Sequence, residues 1–338
     1  MIPHNRLTLG PEERLAAERV LESGWLAQGR EVEAFENEFC AFLGLTDACA
    51  VAVSSGTAAL YLALWVMGAG GSTVACPVYA CSAITNAIAL AGASPVFMDT
   101  APDSPNIEAA ALARSGAPIA VVPHMFGFPV DLPVAGKIRF IEDCAQSLGA
   151  RIGGAPVGLR GVAGIFSFSA TKLITSGGQG GMLVSRDQSI VDAIRDYRAF
   201  DCRDDRKPRF NLQMTDLQAA IGRTQLRRLP CFVRRRAEIF ERYRSEGLCV
   251  VEPSVAGVPV RYRSIIRARE PWRLIDHLSA SGINAIVPVN DWELLAPGDQ
   301  FPHASHFART TVSLPTYPSL TDPELQSIIG SLTGSAWR

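Results

Sequence analysis

The feature that most constrains the fold is a series of short, almost uninterrupted apolar segments, separated by stretches with helical patterning. Continuously apolar strands are covered on both faces, as in a largely parallel sheet that has helices on each side. The pattern therefore predicts an α/β fold. The predicted strands are Ala48–Val53, Thr73–Cys76, Pro95–Asp99, Ile119–Pro123, Ile138–Asp143, Gly164–Ser169 and Gly181–Ser185.

The segments before and after this series are predicted to be mainly helical. Pro11 and the two glutamates after it are typical of a helix start, and Gly24 is typical of the residue beyond a helix end. Apolar residues from Val32 to Phe42 recur at steps of three and four, which indicates a second helix. Further predicted elements are helices at Leu217–Leu229, Cys231–Leu248 and Trp272–Ser281, and strands at Val258–Ala268 and Ile283–Val289.

The 338 residues suffice for about two domains. We predict a large domain over residues 1–239 and a smaller α+β domain over residues 240–338. Thirty-two basic residues against 33 acidic ones give a net charge of −1, so no overall field favours nucleic acid or an anionic membrane.

Localisation and metal binding are judged from the N-terminus, the longest apolar stretch and the cysteines. No apolar stretch follows Met1–Arg6 as in a signal peptide, and Ala58–Met67 is too short to span a membrane. Eight cysteines without a C-x-x-C pair indicate a reduced compartment and no structural metal. We therefore expect a cytoplasmic protein.

A first candidate site lies where the predicted strand Ala48–Val53 turns through Ser54, Ser55, Gly56 and Thr57 into an apolar helix. Backbone N–H groups and the positive end of the helix dipole bind phosphate at such a helix start. A plain helix cap has the same composition, so this motif alone leaves both interpretations open.

A second candidate is Asp143, which ends the apolar strand Ile138–Asp143. A buried carboxylate needs a cationic partner, and no lysine or arginine follows closely. The partner is then distant in sequence, or it is a ligand such as a protonated pyridine nitrogen. A strand-end carboxylate can also cap a helix.

A third candidate is Lys172, which follows an apolar strand and precedes the glycine-rich loop Gly177–Gly181. Apolar surroundings depress the pKa of a lysine and free its amine for Schiff-base chemistry. A surface lysine with a buried stem is the alternative. The loop lacks the G-x-x-x-x-G-K-[ST] pattern of an ATP-binding P-loop.

A phosphate cradle, a carboxylate for a ring nitrogen and an amine for a carbonyl are together what a pyridoxal phosphate enzyme needs. With these motifs the sequence resembles the DegT/DnrJ/EryC1/StrS family, the sugar aminotransferase branch of the fold-type I pyridoxal phosphate-dependent transferases. The resemblance covers nearly the whole chain. It is carried by Gly24–Gly29, Ser55–Leu60, Gly92–Phe97, Glu142–Ala150, Phe166–Lys172, Asn211–Gly222 and Ser313–Pro318.

The resemblance implies roles for three residues at the reacting end of pyridoxal 5'-phosphate. Lys172 forms the covalent link to the cofactor and moves a proton between the donor's α-carbon and the cofactor. Asp143 keeps the ring nitrogen protonated. Gln146 lies close to the ring and its phenolic oxygen.

The resemblance also implies how the cofactor phosphate is held. Ser55, Gly56, Thr57 and Ser167 are the expected cofactor-binding residues of one subunit. Asn211 is expected to reach the phosphate from the second subunit of a homodimer. A monomer would then be inactive, because the active site is shared.

Several positions depart from the family pattern. Cys81 occupies the cofactor-contacting position where relatives often carry an aromatic ring, and Tyr79 lies two residues away. The segment Leu212–Met214 lacks the arginine that often follows Asn211, and the histidine found in many relatives is missing from Val260–Ser264. These changes affect the expectation about the acceptor more than the one about the chemistry.

The leading hypothesis is a pyridoxal phosphate-dependent aminotransferase that moves an amino group from L-glutamate or L-glutamine to a keto group of a nucleotide-linked sugar. The same reaction on a free keto-cyclitol or keto sugar acid is the alternative within enzymes. A non-catalytic, cofactor-binding regulatory protein is the alternative from another class, and the presence of Lys172 and Asp143 disfavours it.

Overall fold

The computed structural model describes residues 1–46, 48–132 and 138–332. Its centre is a seven-stranded sheet with the order β1-β9-β8-β5-β4-β2-β3. The strands are β1 (Ala50–Val53), β2 (Thr73–Pro77), β3 (Ser94–Met98), β4 (Ile119–Pro123), β5 (Arg139–Asp143), β8 (Ala163–Ser167) and β9 (Gly181–Val184), and β6 (Arg151–Ile152) and β7 (Ala155–Pro156) form a small separate hairpin. All seven predicted strands of the α/β fold lie in this sheet.

Six of the seven strands run in the same direction. The neighbours β3, β2, β4, β5 and β8 are parallel, and β1 and β8 are both antiparallel to β9, which lies between them. The carboxyl ends of the six strands therefore meet at one edge. In parallel sheets this edge is where ligands bind.

Helices cover both faces of the sheet, as the continuously apolar strands require. In β1, Val51 and Val53 point into one core while Ala50 and Ala52 point into the other. The α-helices of the described residues are α1 (Pro11–Ser23), α2 (Arg30–Leu43), α3 (Gly56–Val66), α4 (Ala83–Leu90), α5 (Ala109–Arg114), α6 (Gln188–Arg198), α7 (Asp216–Ser245), α8 (Pro271–Ala280), α9 (Pro302–Arg309) and α10 (Asp322–Leu332).

A separate core lies in the C-terminal part of the chain. It is formed by α8, α10 and the antiparallel pair β10 (Ser264–Arg267) and β11 (Thr311–Leu314), together with Ile239 and Tyr243 from the end of α7. The predicted boundary between residues 239 and 240 falls inside α7. The division into two domains stays a prediction.

Two predictions about the C-terminal part were wrong. Leu217–Leu229 and Cys231–Leu248 are one helix, α7, which continues through Pro230. The segment Ile283–Val289 forms isolated bridges from Ile283 and Ile286 instead of a strand.

The strand predicted at Val258–Ala268 is also shorter, because only its last part pairs with β11. The N–H groups of Val260 and Tyr262 donate to the carbonyls of Gly127 and Phe126 instead, at 3.2 and 3.1 Å. These bonds bring Tyr262 close to the carboxyl edge of the large sheet.

Candidate active site

A cavity of about 310 Å³ lies at the carboxyl edge of the sheet. Its walls come from the residues that follow β1, β2, β4, β5 and β8. Eight of the nine predicted site residues line it, and the ninth, Asn211, does not. The eight are Ser55, Gly56, Thr57, Cys81, Asp143, Gln146, Ser167 and Lys172.

One wall of the cavity is the start of α3. The Ser55 hydroxyl caps this helix by accepting a hydrogen bond from the N–H of Ala58 at 3.1 Å. The N–H groups of Gly56 and Thr57 come first in the helix, so they have no carbonyl one turn earlier to bond. Helix cap and anion cradle are thus compatible here, because the cap leaves these donors available for an oxygen anion.

Gly56 allows the two strand ends to approach each other. A Cβ atom at this position would lie 2.7 Å from the Cβ of Ser167 and 3.1 Å from its Oγ. Since the helix start and the Ser167 hydroxyl face the same space, any side chain at residue 56 would push them apart and occupy the cradle.

We expect Gly56→Ala to weaken binding of pyridoxal phosphate by about tenfold or more, because relieving this overlap costs about 1–3 kcal/mol. Equilibrium titration of the cofactor-free protein, followed by absorbance, measures the effect. Gly330→Ala is the matched control, since a Cβ there meets no heavy atom within 4 Å. Unchanged affinity in Gly56→Ala would place the phosphate elsewhere.

Asp143 ends β5 and presents its carboxylate to the cavity. Its Oδ1 accepts a hydrogen bond from the N–H of Ala145 at 3.0 Å. Burial raises the pKa of Asp143, although this hydrogen bond and the charge of Lys172 act in the opposite direction. A cation placed in the cavity next to this carboxylate would therefore be strongly stabilised.

Lys172 lies in the turn after β8, where its N–H donates to the carbonyl of Ser169 at 2.9 Å. The glycine-rich loop is bonded to the same turn, because Ala170 N–H donates to the carbonyl of Gly178. Gly178 has a φ of +150°, a backbone conformation that residues with a side chain rarely adopt. The amine of Lys172 is 5.6 Å from the ring centre of Tyr262 and lines the cavity together with Asp143.

The structure adds His124 to the site, with Glu142 as its hydrogen-bond partner outside the cavity. His124 lines the cavity, and its Nδ1 accepts a hydrogen bond from the N–H of Val130 at 2.9 Å. Its Nε2 must then carry the proton, which it donates to Glu142 at 3.1 Å. The sequence signal for Glu142 was its position beside Asp143 in a buried strand. Neighbouring strand residues point to opposite faces, so Glu142 is buried on the other face of the sheet and needs hydrogen-bond donors there.

Glu142 is 1% exposed and also accepts hydrogen bonds from the N–H groups of Gly158, Arg160 and Gly161, at 2.6–2.9 Å. Burial alone would raise the pKa of this carboxyl group. The hydrogen bonds from His124 and these N–H groups hold it below its usual range. Glu142 thus ties the loop after β7 to the strand that carries Asp143.

We expect Glu142→Gln to lower the free energy of unfolding by about 3 kcal/mol at pH 7, because an amide cannot accept from all of these donors. A lowered folded-state pKa stabilises the protein above the unfolded value of 4.5, and this stabilisation is lost as the pH falls. The difference from wild type should therefore shrink in acid. Urea denaturation at pH 7 and pH 4 measures it, with the exposed Glu18→Gln as control.

Gln146 is fixed by the backbone of the neighbouring loop. Its Oε1 accepts a hydrogen bond from the N–H of Phe126 at 2.8 Å, and its Nε2 lies 4.0 Å from Met125 Sδ, which leaves one amide N–H available as a donor. Phe126 has a φ of +57°, a left-handed conformation that is uncommon for a bulky residue. The strained loop thus orients a donor at the cavity wall.

The segment after β2 supplies Cys81 to the cavity, and Tyr79 is turned away. Cys81 is exposed. Tyr79 is fully buried and packs against Phe126 and Phe307, with ring centres 6.1 and 5.3 Å apart. Among the described residues that line the cavity there is no Phe, Tyr or Trp.

Asn211 is exposed, and its Oδ1 accepts from the N–H of Gln213 at 3.2 Å. Arginines in the preceding loop could replace the missing cation: Arg206 is exposed, and Arg209 is in salt bridges with Asp196 and Asp205, at 2.8 and 2.7 Å. Arg209 is therefore neutralised by one carboxylate of α6 and one of its own loop.

Within residues 1–46, 48–132 and 138–332, no group of acidic, histidine or cysteine side chains is arranged to hold a metal ion. No helix among the same residues has the length and apolar character needed to cross a membrane.

Comparisons with known proteins agree with this architecture. Residues 8–333 match the model of the DegT/DnrJ/EryC1/StrS aminotransferase family. The spore coat polysaccharide biosynthesis protein SpsC of Bacillus subtilis is 31% identical, over 97% of this chain and 95% of its own. The dTDP-3-amino-3,4,6-trideoxy-alpha-D-glucose transaminase of Streptomyces venezuelae is 31% identical, over 96% of this chain and 92% of its own.

A solved structure, the aminotransferase TlmJ of Streptoalloteichus hindustanus, superimposes with a TM-score of 0.90 at 30% identity and covers 98% of both chains. The predicted α/β fold and the resemblance seen in the motifs are thus confirmed. On the match to the family model and on these relatives, the chain belongs to the DegT/DnrJ/EryC1/StrS aminotransferase family.

Proposed function

We propose that this protein is a pyridoxal phosphate-dependent aminotransferase whose acceptor is a keto group of a nucleotide-linked sugar. The observation that carries the proposal is the convergence of Lys172, Asp143 and the start of α3 on one cavity. A non-catalytic binding protein would not need the lysine and the buried carboxylate together.

The cavity fits pyridoxal 5'-phosphate by the chemistry of its walls. Gly56, Thr57 and Ser167 provide N–H and hydroxyl donors for a phosphate, and the Asp143 carboxylate suits a protonated ring nitrogen. The bound cofactor supplies a carbonyl that carries the amino group and a ring that withdraws electrons. Ser55 supports this cradle by capping α3.

The chain's own residues would hold the reactants and move protons. Lys172 Nζ would hold the cofactor covalently and, once the amine of the donor has displaced it, would accept and return the proton of the donor's α-carbon. Asp143 keeps its positive partner charged. Gln146 would donate an amide N–H to the cofactor ring, and the exposed Cys81 in the cavity wall would contact the cofactor without aromatic stacking.

The relatives support a sugar acceptor. One of them is named as a transaminase of a dTDP-linked amino sugar and another as a protein of spore coat polysaccharide biosynthesis. We propose L-glutamate or L-glutamine as the amino donor. The free keto-cyclitol or keto sugar acid stays the second candidate acceptor, because Leu212–Met214 offers no cation after Asn211.

We further propose a cytoplasmic homodimer in which Asn211 of one subunit completes the phosphate site of the other. In support, Asn211 is exposed and lies outside its own chain's cavity, and the neighbouring Phe210 is 59% exposed. The exposed thiols of Cys81, Cys202, Cys231 and Cys249 suit a reducing compartment. Sedimentation analysis that gave an active monomer would contradict the shared site.

The experiment that tests the proposed function is a two-step assay with the cofactor-loaded protein. L-Glutamate or L-glutamine should bleach the visible band of the bound cofactor, and a nucleotide-linked keto sugar should restore it. Free keto-cyclitols and keto sugar acids serve as competing acceptors. No response to any amino donor would reject the aminotransferase, and recovery with a free ketone alone would select the alternative acceptor.

A further inference from the structure

A second cavity, of about 100 Å³, lies next to the first on the side of the C-terminal core. Thr171 lines both cavities, and Lys172 and Arg236 line a third, smaller space together. The walls of the second cavity carry Arg236 and Arg263. Two guanidinium groups thus lie in the cavity next to the one that contains the candidate reactive lysine.

Arg236 belongs to α7 and is 3% exposed. Its Nη1 donates to the carbonyls of Tyr262 and Thr316, at 3.0 and 2.5 Å, while its buried Nε has no hydrogen-bond partner within the described part of the chain. Burial and the charge of Arg263 lower the pKa of Arg236 to about 10. A buried arginine without a carboxylate to balance its charge lowers the stability of a folded protein.

Arg263 directly precedes β10 and is half-buried. Its Nη1 lies 3.1 Å from Nε2 of His4 and 3.5 Å from the hydroxyl of Ser313, and its buried Nε also lacks a partner among the described residues. Burial and the charges of both arginines lower the pKa of His4 to about 3, so the imidazole is neutral. The partners of both guanidinium groups are therefore uncharged.

Two other described arginines, the buried Arg198 and the half-buried Arg228, are neutralised by carboxylates. Arg198 is in a salt bridge with Glu36, and Arg228 is 2.5 Å from Glu13. The pair in the second cavity differs from these because its hydrogen-bond partners are carbonyls, a hydroxyl and a neutral ring. Such a pair has the charge and the free donors to bind an anion.

Tyr262 connects this pair to the reactive lysine. The cationic groups of Lys172, Arg236 and Arg263 lie 5.5–5.9 Å from its ring centre. Burial raises the pKa of Tyr262, but these three charges outweigh it and the pKa is lowered. A positive potential therefore extends from Lys172 into the second cavity.

We propose that Arg263 and Arg236 form the subsite that binds a carboxylate of the substrate. This inference rests on the proposed function, because it assigns an anionic group to a substrate that reacts at Lys172. A planar guanidinium matches a carboxylate through paired N–H donors, and the phosphate donors of the other cavity are on the α3 side. The carboxylate belongs either to the amino donor or to an acidic sugar acceptor.

The test uses Arg263→Gln and Arg263→Lys in the cofactor-loaded protein. Arg236 is left intact, since it supports two carbonyls of the fold. Arg234→Gln is the matched control, because it removes one charge from the exposed side of α7, where the Arg234 side chain is 71% exposed. Melting temperatures establish that the variants are folded.

Calorimetry measures binding of acids that cannot react. Glutarate represents the amino donor, with glutaramide as its neutral analogue, and glucuronate represents an acidic sugar, with glucose as its neutral analogue. We expect one acid to bind wild type and Arg234→Gln alike. Arg263→Gln should weaken it by about tenfold to a hundredfold, with partial recovery in Arg263→Lys.

Binding of glutarate would assign the subsite to the donor, and binding of glucuronate would assign it to the acceptor. Acids that bind no better than their neutral analogues, or equally well to Arg263→Gln, would overturn the inference. The amino-donor step is followed separately. If acid binding depends on Arg263 but no amino donor reacts, the proposed aminotransferase activity is rejected and the subsite is retained. If Arg263→Gln leaves the KM for both donor and acceptor unchanged, the subsite is rejected and the activity is retained.

Discussion

Replacing Lys172 by alanine is expected to abolish amino transfer, with a fall in rate of about a thousandfold or more. The amine serves both as the covalent attachment and as the proton carrier, and each role contributes a large factor. The phosphate cradle at Gly56 and Thr57 and the carboxylate of Asp143 are not altered by this change. Cofactor should therefore still bind, but it should be released when the protein is unfolded, whereas wild type keeps it after borohydride reduction.

The chain offers a clean control for this experiment, because it has only three lysines, Lys137, Lys172 and Lys207. Lys207 is exposed in the loop before Asn211. Lys207→Ala should keep full activity, and mass spectrometry of the reduced wild type should find the cofactor on the peptide that contains Lys172. Label on another lysine, or turnover by Lys172→Ala, would contradict the assignment.

The location of the site could be predicted from the sequence because it depends on local patterns. Continuously apolar strands fix a parallel sheet, and a parallel sheet brings the residues after its strands to one edge. Ser55 and Lys172 follow two such strands and Asp143 ends a third, and the structure brings them to one cavity. No knowledge of long-range contacts was needed for this step.

The continuity of α7 could not be predicted, since Pro230 normally ends or kinks a helix at a cost of about 3 kcal/mol. Leu226, Leu229 and Phe232 lie on both sides of the proline and are buried in the same core. Packing of this stripe outweighs the missing hydrogen bond. The strength of such packing depends on the partner elements, which sequence periodicity does not reveal.

The proximity of Arg236 and Arg263 could not be predicted from the sequence either. Arg236 belongs to a basic run that looks like an ordinary solvated helix face, and Arg263 comes 27 positions later. They meet only because Val260 and Tyr262 bond to the loop after β4 and bend the chain toward α7. Burial of one residue within a charged run depends on tertiary contacts and leaves no signal in composition.

The second large effect is expected for Asp143→Asn, which keeps the shape of the side chain and removes its charge. The loss of a buried charge pair costs about 3–5 kcal/mol, so we expect amino transfer to slow by about a hundredfold to five thousandfold. Steady-state rates and the spectrum of the bound cofactor measure the change. Asp131→Asn, at an exposed position, is the matched control.

Stability of the cofactor-free protein separates this effect from misfolding. Burial raises the pKa of Asp143 above its unfolded value of 3.8. An acid with a raised folded-state pKa destabilises the protein at pH values above that pKa, and the penalty disappears as the pH falls below the unfolded value. Cofactor-free Asp143→Asn should therefore be at least as stable as wild type at pH 7, with an advantage that vanishes in acid.

A variant that was inactive because it was less stable at pH 7 would argue for a structural role. A stable, cofactor-binding and inactive variant would show that the carboxylate is maintained, at a cost in stability, for the charge that it balances.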